Sequence, residues 1–453
     1  MRPSDHYNSE AIEWSAQRHG QDWRDENCLA AVEWLTSLLP QEEWEPRAAA
    51  VEARFQAAKR EWAEGHRTPL YDSSDLIGWY IHLARHYADP SLRPDFYEPD
   101  GYRIAVVFKR LGEIVSDLRR IDGAEHRASA MMRRASQPDD AIYELLVAGS
   151  YARRGWTGVE FVPEAPPAKR HDLNVSRGSS NWAVECKRAG RSEYAKNERA
   201  AAERIAQEVH ELSARTGRSI VAVVRFKAEI ADLQEDYLAV KAKGSLSSIL
   251  PREWDDSGGS GVVGSADMQR LIRALRRDDI YFGSSRMVEL ILGGYDPSVD
   301  FSVGGDWKSS AGRPFHAHSV GRVSLVAWKI DSEESARRKA SHFRGIVGRA
   351  AAQLPGDRPG AIHVGYEAVG GNSVDGHRHL LNQEQMQDFE VGESNLRFVY
   401  GNYFMPEHVT ARMESAAVSE TTAWYPVGSI KTEQPLPGHL LFSDQAGTPG
   451  AHF

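Results

Sequence analysis

The sequence predicts an α/β protein in which a mixed-sheet core follows a mostly α-helical N-terminal domain. Three observations carry that reading. Residues 1 to about 140 place apolar side chains at helical spacing. From about residue 139 the order becomes helix, strand, strand, strand, helix, strand, which is a mixed α/β unit. Further on, strand-like pieces broken by glycines flank one more helix, indicating a β-containing insertion and C-terminal region. The boundaries that follow are 1–138 for a helical accessory domain and 139–370 for the α/β domain, with its insertion at about 227–330. Residues 371–453 form a C-terminal extension with some strand.

Ala30, Ala31, Trp34, Leu35 and Leu38 make an amphipathic stripe that Pro40 ends. A second helix runs from Ala48 to about Glu64, a third from Asp75 to Tyr87 with Ser74 as cap, and a fourth from Arg103 to Arg120. Trp14, Trp23, Trp34, Trp44, Trp62 and Trp79 fall in this segment, where they are expected to fill gaps between packed helices. Asp139–Arg154 is a helix, and Gly158–Val162 is a short strand stopped by Pro163, Pro166 and Pro167. His171–Ser176 and Asn181–Lys187 are two more strands. A long polar helix at about Arg191–Thr216 and a strand at Ser219–Phe226 follow. Ser257–Ser265 is expected as a Gly/Ser-rich loop, with strand-like IYFG, VELIL and VSLVAWKI after it. Ser332–Leu354 is helical and Ala361–Tyr366 is a buried strand, and together they could extend the sheet past a long insertion. Leu396–Phe404 is the last strand expected, ahead of a Pro/Gly-rich, frayed end.

Composition bounds the function. The 453 residues hold 55 Lys+Arg against 64 Asp+Glu, a net charge of −9, which argues against a uniformly basic nucleic-acid coat. Aromatic residues, 12 Trp, 16 Tyr and 14 Phe, exclude disorder as the main state. No apolar run approaches the ~20 residues of a membrane-spanning helix, and the N-terminus is too polar for a secretory signal. Cys28 and Cys186 are too few for a disulfide framework or a Cys-rich zinc site. A reducing, cytoplasmic setting is expected. Charge is unevenly spread: residues 1–140 carry 18 basic and 25 acidic side chains, whereas residues 141–200 carry ten basic and seven acidic.

The chemistry concentrates in Lys169–Lys187. A hairpin that pairs Ser176 with Asn181 sets Asp172 opposite Glu185. Alternation then puts Asp172, Asn174, Ala183, Glu185 and Lys187 on one face and Leu173, Val175, Trp182, Val184 and Cys186 on the other. Like charges directly opposite each other destabilise a sheet, so a cation is expected between the two carboxylates. Mg²⁺ takes one or two carboxylates and keeps waters and phosphate oxygens in its remaining positions. Lys187 can orient a bound water, which outlines phosphodiester hydrolysis. A plain surface hairpin with an ion pair is the alternative.

These residues resemble the PD-(D/E)xK nuclease superfamily, whose restriction-endonuclease-like core runs helix, three antiparallel strands, helix, strand. Asp172, Glu185 and Lys187 match its motif, and Glu144 matches a glutamate often found on its first helix. His171 stands where the motif has proline. The likeness covers less than a quarter of the chain. It implies Mg²⁺- or Mn²⁺-dependent cleavage of nucleic acid, DNA before RNA. Asp172, Glu185 and the backbone carbonyl of Cys186 would hold the metal, Lys187 would serve the attacking water, and Glu144 would bind through water or a second metal. Lys169, Arg170, Arg177, Arg188 and Arg191, with Lys196 and Arg199 beyond, flank the motif and are candidates for phosphate contact. Gln207 and His210 lie on the following helix, where some members place a polar residue toward the site, and Gln207 is the candidate. By analogy such chains look like bacterial restriction or anti-phage effectors. A binding or scaffold protein on the same fold, without cleavage, is the competing expectation. The helical N-terminal domain is the candidate surface for a protein partner or a homo-oligomer.

Weaker patterns are set aside. Gly259-x-Gly261-x-x-Gly264 lacks a preceding strand and reads as a flexible loop. Asp306-Trp307-Lys308 repeats acid-x-Lys without an apolar strand face. His316/His318 and His377/His379, with Asp375, give only a weak metal pattern.

Overall fold

A computed structural model describes residues 25–440 apart from 67, 93–94, 134–135, 165–168, 191, 247, 249, 297–298, 368–379, 408–416, 428–434 and 437–439. Arg191, Asp375, His377, His379, Trp14 and Trp23 therefore lie outside the described residues.

The N-terminal region is helical, as expected. Helix α1 (Glu26–Thr36) starts at Asp25, whose carboxylate accepts the Cys28 N–H at 2.8 Å. Helix α2 (Gln41–Ala63) begins seven residues before the expected Ala48 and carries Pro46 inside it. Pro46 is exposed, so water can serve the carbonyl that its missing N–H leaves free. Helix α3 (Leu76–Ala88) is capped by Asp75, not Ser74: Asp75 Oδ1 accepts the Gly78 N–H at 2.9 Å. Helices α4 (Glu98–Leu118), α5 (Ala124–Arg133) and α6 (Pro138–Arg153) complete the layer. Trp34 and Trp79 are buried in its core, with Trp44 and Trp62 partly buried against it.

The first sheet has the strand order β1-β2-β3-β10-β11-β12. Strands β1 (Gly158–Phe161), β2 (Leu173–Arg177) and β3 (Ser180–Ala189) form an antiparallel meander. The β2–β3 register is the expected one, Ser176 opposite Asn181 and Val175 opposite Trp182. Its turn has only two residues, because Arg177 also pairs with Ser180. Gly178 takes φ 59° there, at the first turn position, where a two-residue II′ turn requires glycine. Strand β10 (Gly360–Glu367) lies parallel to β3, and β11 (Leu396–Glu407) parallel to β10. Strand β12 (Ala417–Pro426) closes the sheet antiparallel and had no counterpart in the sequence reading.

The long helix and strand after β3 do not belong to this sheet. Helix α7 (Glu193–Thr216) and β4 (Ile220–Phe226) build a second sheet, ordered β5-β6-β4-β9-β7, with β8 paired to β9. Ala202, Ile205, Val209 and Leu212 of α7 pack on Ala222, Val224, Val326 and Trp328 of that sheet. The helix and strand that continue the first sheet are α11 (Glu333–Ala351) and β10. Phe343, Val347 and Ala350 of α11 share a core with Ala183, Ile362 and Val364. The second sheet is thus inserted between β3 and α11.

Two local expectations in this insertion fail for identifiable reasons. Ser257–Ser265 is not a loop, since β6 (Gly259–Ser265) pairs β4 on one side and β5 (Arg252–Asp255) on the other. Its glycines permit that fit: a Cβ on Gly261 would stand 2.2 Å from the Val223 carbonyl and 2.7 Å from Trp254. Helices α8 (Tyr237–Ser245) and α9 (Gln269–Leu275) precede α10 (Ser285–Leu292), and VELIL is the end of α10, not a strand. Ser284 Oγ caps it by accepting the Met287 N–H at 3.2 Å, and Gly293 ends it at φ 83°. Only Ile280–Tyr281 of IYFG forms a strand, β7, while VSLVAWKI falls within β9 (Arg313–Ile330), which pairs β8 (Asp300–Ser310). No described helix is long and apolar enough to cross a membrane.

Candidate active site

Asp172 lies one residue outside the paired part of β2. Its own N–H reaches the Val184 carbonyl at 3.1 Å. Its Oδ2 accepts the Cys186 N–H at 2.7 Å, where a regular ladder would present a backbone carbonyl. That bond holds the Asp172 carboxylate at the edge of β3, between the two faces of the sheet. In an extended strand the N–H and C=O of one residue point to the same side. The Cys186 carbonyl therefore faces Asp172 too. The Cys186 thiol lies in the apolar core, 5 % exposed, where burial raises its pKa well above the thiol range.

Glu185 approaches Asp172 from one face and Glu144 from the other. The Asp172 and Glu185 carboxylates are close enough for each to shift the other's titration. Glu185 is fully buried, because α11 and β10 cover that face, so it is not the open polar face expected. Lys187 Nζ forms an ion pair with Glu185 Oε1, yet neither Glu185 oxygen receives an aligned hydrogen bond. Glu144 projects from α6, whose core residues share a cluster with Cys186, and Arg127 holds it at 2.5 Å.

The electrostatics follow from crowding. Burial, then the Asp172 charge, pushes Glu185 up to about 8 against the pull of Lys187. Burial, again with Asp172, pushes Glu144 up to about 7 against Arg127. Asp172 is raised by burial despite its bond from Cys186 and the cations Lys187 and Arg127. Burial works to lower Lys187, but Glu185 and Asp172 outweigh it and the net shift is upward. Asp172, Glu185 and Glu144 are opposed here by Lys187 and Arg127.

Two participants escaped the sequence reading. Arg127 of α5 pairs with Glu144 and, at 3.6 Å, with Glu164. Asp140 lies one turn before Glu144 on α6, and burial, then Asp139, raises its pKa against Arg127, Arg188 and Lys187. The i, i+4 spacing of Asp140 and Glu144 was a usable signal. Arg127 had none, because only folding brings α5 beside α6. An open cleft of about 520 Å³ shares Arg127 and Asp140 with the cluster.

The flanking basic residues divide. Lys169 and Arg170 are exposed in the loop leading to Asp172. Arg188 lies beside the acids and covers the Phe404 ring at 5.4 Å. Arg177 is stacked on Trp156 at 4.9 Å, five residues along β2 from Asp172. At ~3.3 Å per residue that is roughly 17 Å away. Lys196 pairs with Glu193 at 3.9 Å, and Arg199 with Glu203 and Asp300 at 2.8 and 3.3 Å, on a helix of the second sheet. Gln207 is exposed on that helix and bonds Glu211, so it does not face the cluster. His210 serves Ser324 and Ser302 of the second sheet instead, at 2.6 and 2.9 Å. Asp306 is gripped by Arg322 at 2.7 and 2.8 Å. His316 is buried, whereas the His318 side chain is 70 % exposed and meets Asp279.

A divalent cation fits the donor set. Two adjoining carboxylates and a backbone carbonyl are hard oxygen ligands of the kind Mg²⁺ takes. Both buried Glu185 oxygens lack an aligned donor, which a cation would remedy. Comparison with known families, curated proteins and solved structures returns no match.

Proposed function

We propose that the chain is a Mg²⁺- or Mn²⁺-dependent nuclease of the PD-(D/E)xK type, hydrolysing phosphodiester bonds of DNA in preference to RNA. The observation that carries this reading is the Asp172–Glu185 carboxylate pair, in which Glu185 is buried with neither oxygen receiving an aligned hydrogen bond and Lys187 stands beside it. A restriction-endonuclease-like core also accords with the order α6, β1–β3, α11, β10, once the second sheet is treated as an insertion.

In this reading Asp172, Glu185 and the Cys186 carbonyl would hold the metal. When bound it supplies positive charge against the phosphoryl oxygens and lowers the pKa of a water. Lys187 orients the attacking water and offsets charge as its oxygen bonds to phosphorus. The bond to the leaving sugar oxygen breaks; the attacking water gives up one proton to solvent and the leaving oxygen takes one from solvent. Arg127 holds Glu144 in place, so Glu144 acts through water instead of as a direct ligand. Lys169, Arg170 and Arg188 contact phosphates; Arg177 is too far along the hairpin to join them. A role in restriction or anti-phage defence remains an analogy of fold and motif.

The test is incubation with plasmid DNA, single-stranded DNA and RNA in Mg²⁺, Mn²⁺ or EDTA. Wild type is run beside Asp172→Asn and Lys187→Ala. Metal-dependent cleavage that both substitutions abolish supports the assignment. Cleavage surviving both removes it, and binding without cleavage of any substrate favours the scaffold alternative.

A further inference from the structure

A second cluster of metal-ligating side chains lies in the helical region, away from the elements that build the carboxylate site. His82 and His86 stand one turn apart on α3 and are 8 % and 5 % exposed. Glu52 of α2 meets both through one oxygen: Oε2 is 3.2 Å from His82 Nδ1 and 3.3 Å from His86 Nε2. The three ligand atoms all lie within 4.8 Å of one another. Its other oxygen, Oε1, accepts from Gln56 Nε2 at 2.9 Å, and the same nitrogen donates to Asp95 at 2.9 Å. Gln56 thereby aims Oε2 at the histidines.

We propose that Glu52, His82 and His86 bind a divalent transition-metal ion of the zinc type, joining α2 to α3. Two ligands about 2.1 Å from a tetrahedral zinc are about 3.4 Å apart. The two Glu52–His separations, 3.2 and 3.3 Å, are close to that spacing, and the His82 and His86 nitrogens lie within 4.8 Å of each other. Imidazole with one carboxylate selects zinc-like ions over Mg²⁺, whose ligands are oxygen. The Glu52 side chain is 44 % exposed, so the ion has an entry path and water can complete its coordination. Gln56 supplies the outer bond that such a carboxylate needs. Packing fixes the histidines: Trp79 stacks on His82 at 5.0 Å and 15°, with Phe55 at 5.0 Å. Phe315 of β9 stacks on Phe55 at 6.4 Å, so the ion would sit beside the contact of the helical layer with the second sheet.

This inference does not rest on the nuclease reading, and its test keeps the two apart. The full chain is stripped with EDTA, loaded with Zn²⁺ alone, desalted and assayed for bound metal by mass spectrometry. Co²⁺ loading adds a second readout, the visible bands of a tetrahedral site. One equivalent of zinc should persist in the Asp172→Asn/Glu185→Gln variant and in excess Mg²⁺. Glu52→Gln and His86→Gln should each weaken zinc binding by about 100-fold or more and abolish the Co²⁺ bands. Glu52 is half exposed, so Glu52→Gln keeps its far-UV dichroism and decides the matter should His86→Gln fail to fold. Zinc lost with Asp172 and Glu185 but retained in Glu52→Gln would overturn the proposal. So would a wild-type chain that retains no zinc.

Discussion

Glu185 has no exposed surface, and the neighbour it most needs to avoid, Asp172, is the one the fold sets against it. Its pKa rises from the ordinary 4.5 to about 8, so the folded chain keeps a proton that the unfolded chain releases. The sign is then fixed. Below about pH 4.5 both states are protonated and nothing is lost. As pH climbs toward 8 the unfolded state gains relative to the folded one, and stability declines. Glu185→Gln removes that loss. In EDTA at pH 8 its Tm should exceed wild type by roughly 2–6 °C, and the gap should close at pH 5. The same variant should cleave at least about 100-fold more slowly, because one of the two carboxylates that would hold the metal has been deleted. A scan of Tm against pH for both proteins, with a plasmid assay, checks both halves. Lys187→Ala acts the opposite way on stability. It leaves Asp172 and Glu185 facing each other without their nearest cation, so Tm in EDTA should fall. Added Mg²⁺ should recover most of that fall while cleavage stays down by about 10²- to 10⁴-fold. Recovery of Tm with no recovery of rate would separate charge balance from the chemical step.

At the scale of elements, close backbone contact decides more than side-chain chemistry. Gly112 of α4 faces α1 so tightly that a Cβ would stand 1.7 Å from the Asn27 carbonyl. Backbone cannot yield as a flexible side chain does. Gly112→Ala should therefore cost about 1–3 kcal/mol by overpacking, although alanine is the better helix former. Urea unfolding of the two proteins measures it, and an unchanged midpoint would show that α1 and α4 can move apart. The hairpin was legible in the sequence because alternation fixes both register and face. Leu173, Val175, Trp182 and Val184 are all buried, as their spacing required. The partner of that hairpin was legible in part: Ala361–Tyr366 was expected to extend the sheet and does, as β10, whereas Arg191–Thr216 and Ser219–Phe226, expected to complete its core, do not. Helix α7 follows it directly and has an apolar face, but Ala202, Ile205 and Val209 match the second sheet, not the first. Periodicity tells which face of a helix is buried and not what buries it. The glycines of β6 misled for a related reason: a composition typical of loops here serves a strand squeezed against Val223 and Trp254.

Across the whole molecule, the insertion and the charge distribution bear on the same question. The order helix, three strands, helix, strand is complete only when residues 190–332 are passed over. Asp172 and Glu185 are thus built by the meander, but covered by α11 and β10 from the far side of that insertion. The chain carries a net −9, and several cations near the motif are engaged elsewhere in the fold. Arg177 lies on Trp156, and Lys196 and Arg199 pair with acids. Lys169 and Arg170, just before Asp172 in the chain, and Arg188, next to Lys187, are the phosphate contacts of the proposed nuclease. Each phosphate neutralised contributes about −0.9 to the slope of log K against log salt, so three contacts give a slope of about −3. That is shallow for a DNA-binding protein, and binding should be weak at physiological salt. Lys169→Ala/Arg170→Ala should reduce the slope by about 2, while Arg177→Ala should leave it unchanged. Fluorescence anisotropy with labelled duplex across a salt series, in Ca²⁺ to hold off cleavage, gives all three slopes. A steep wild-type slope, or one that moves with Arg177, would place the phosphate track along the hairpin turn instead of beside Asp172.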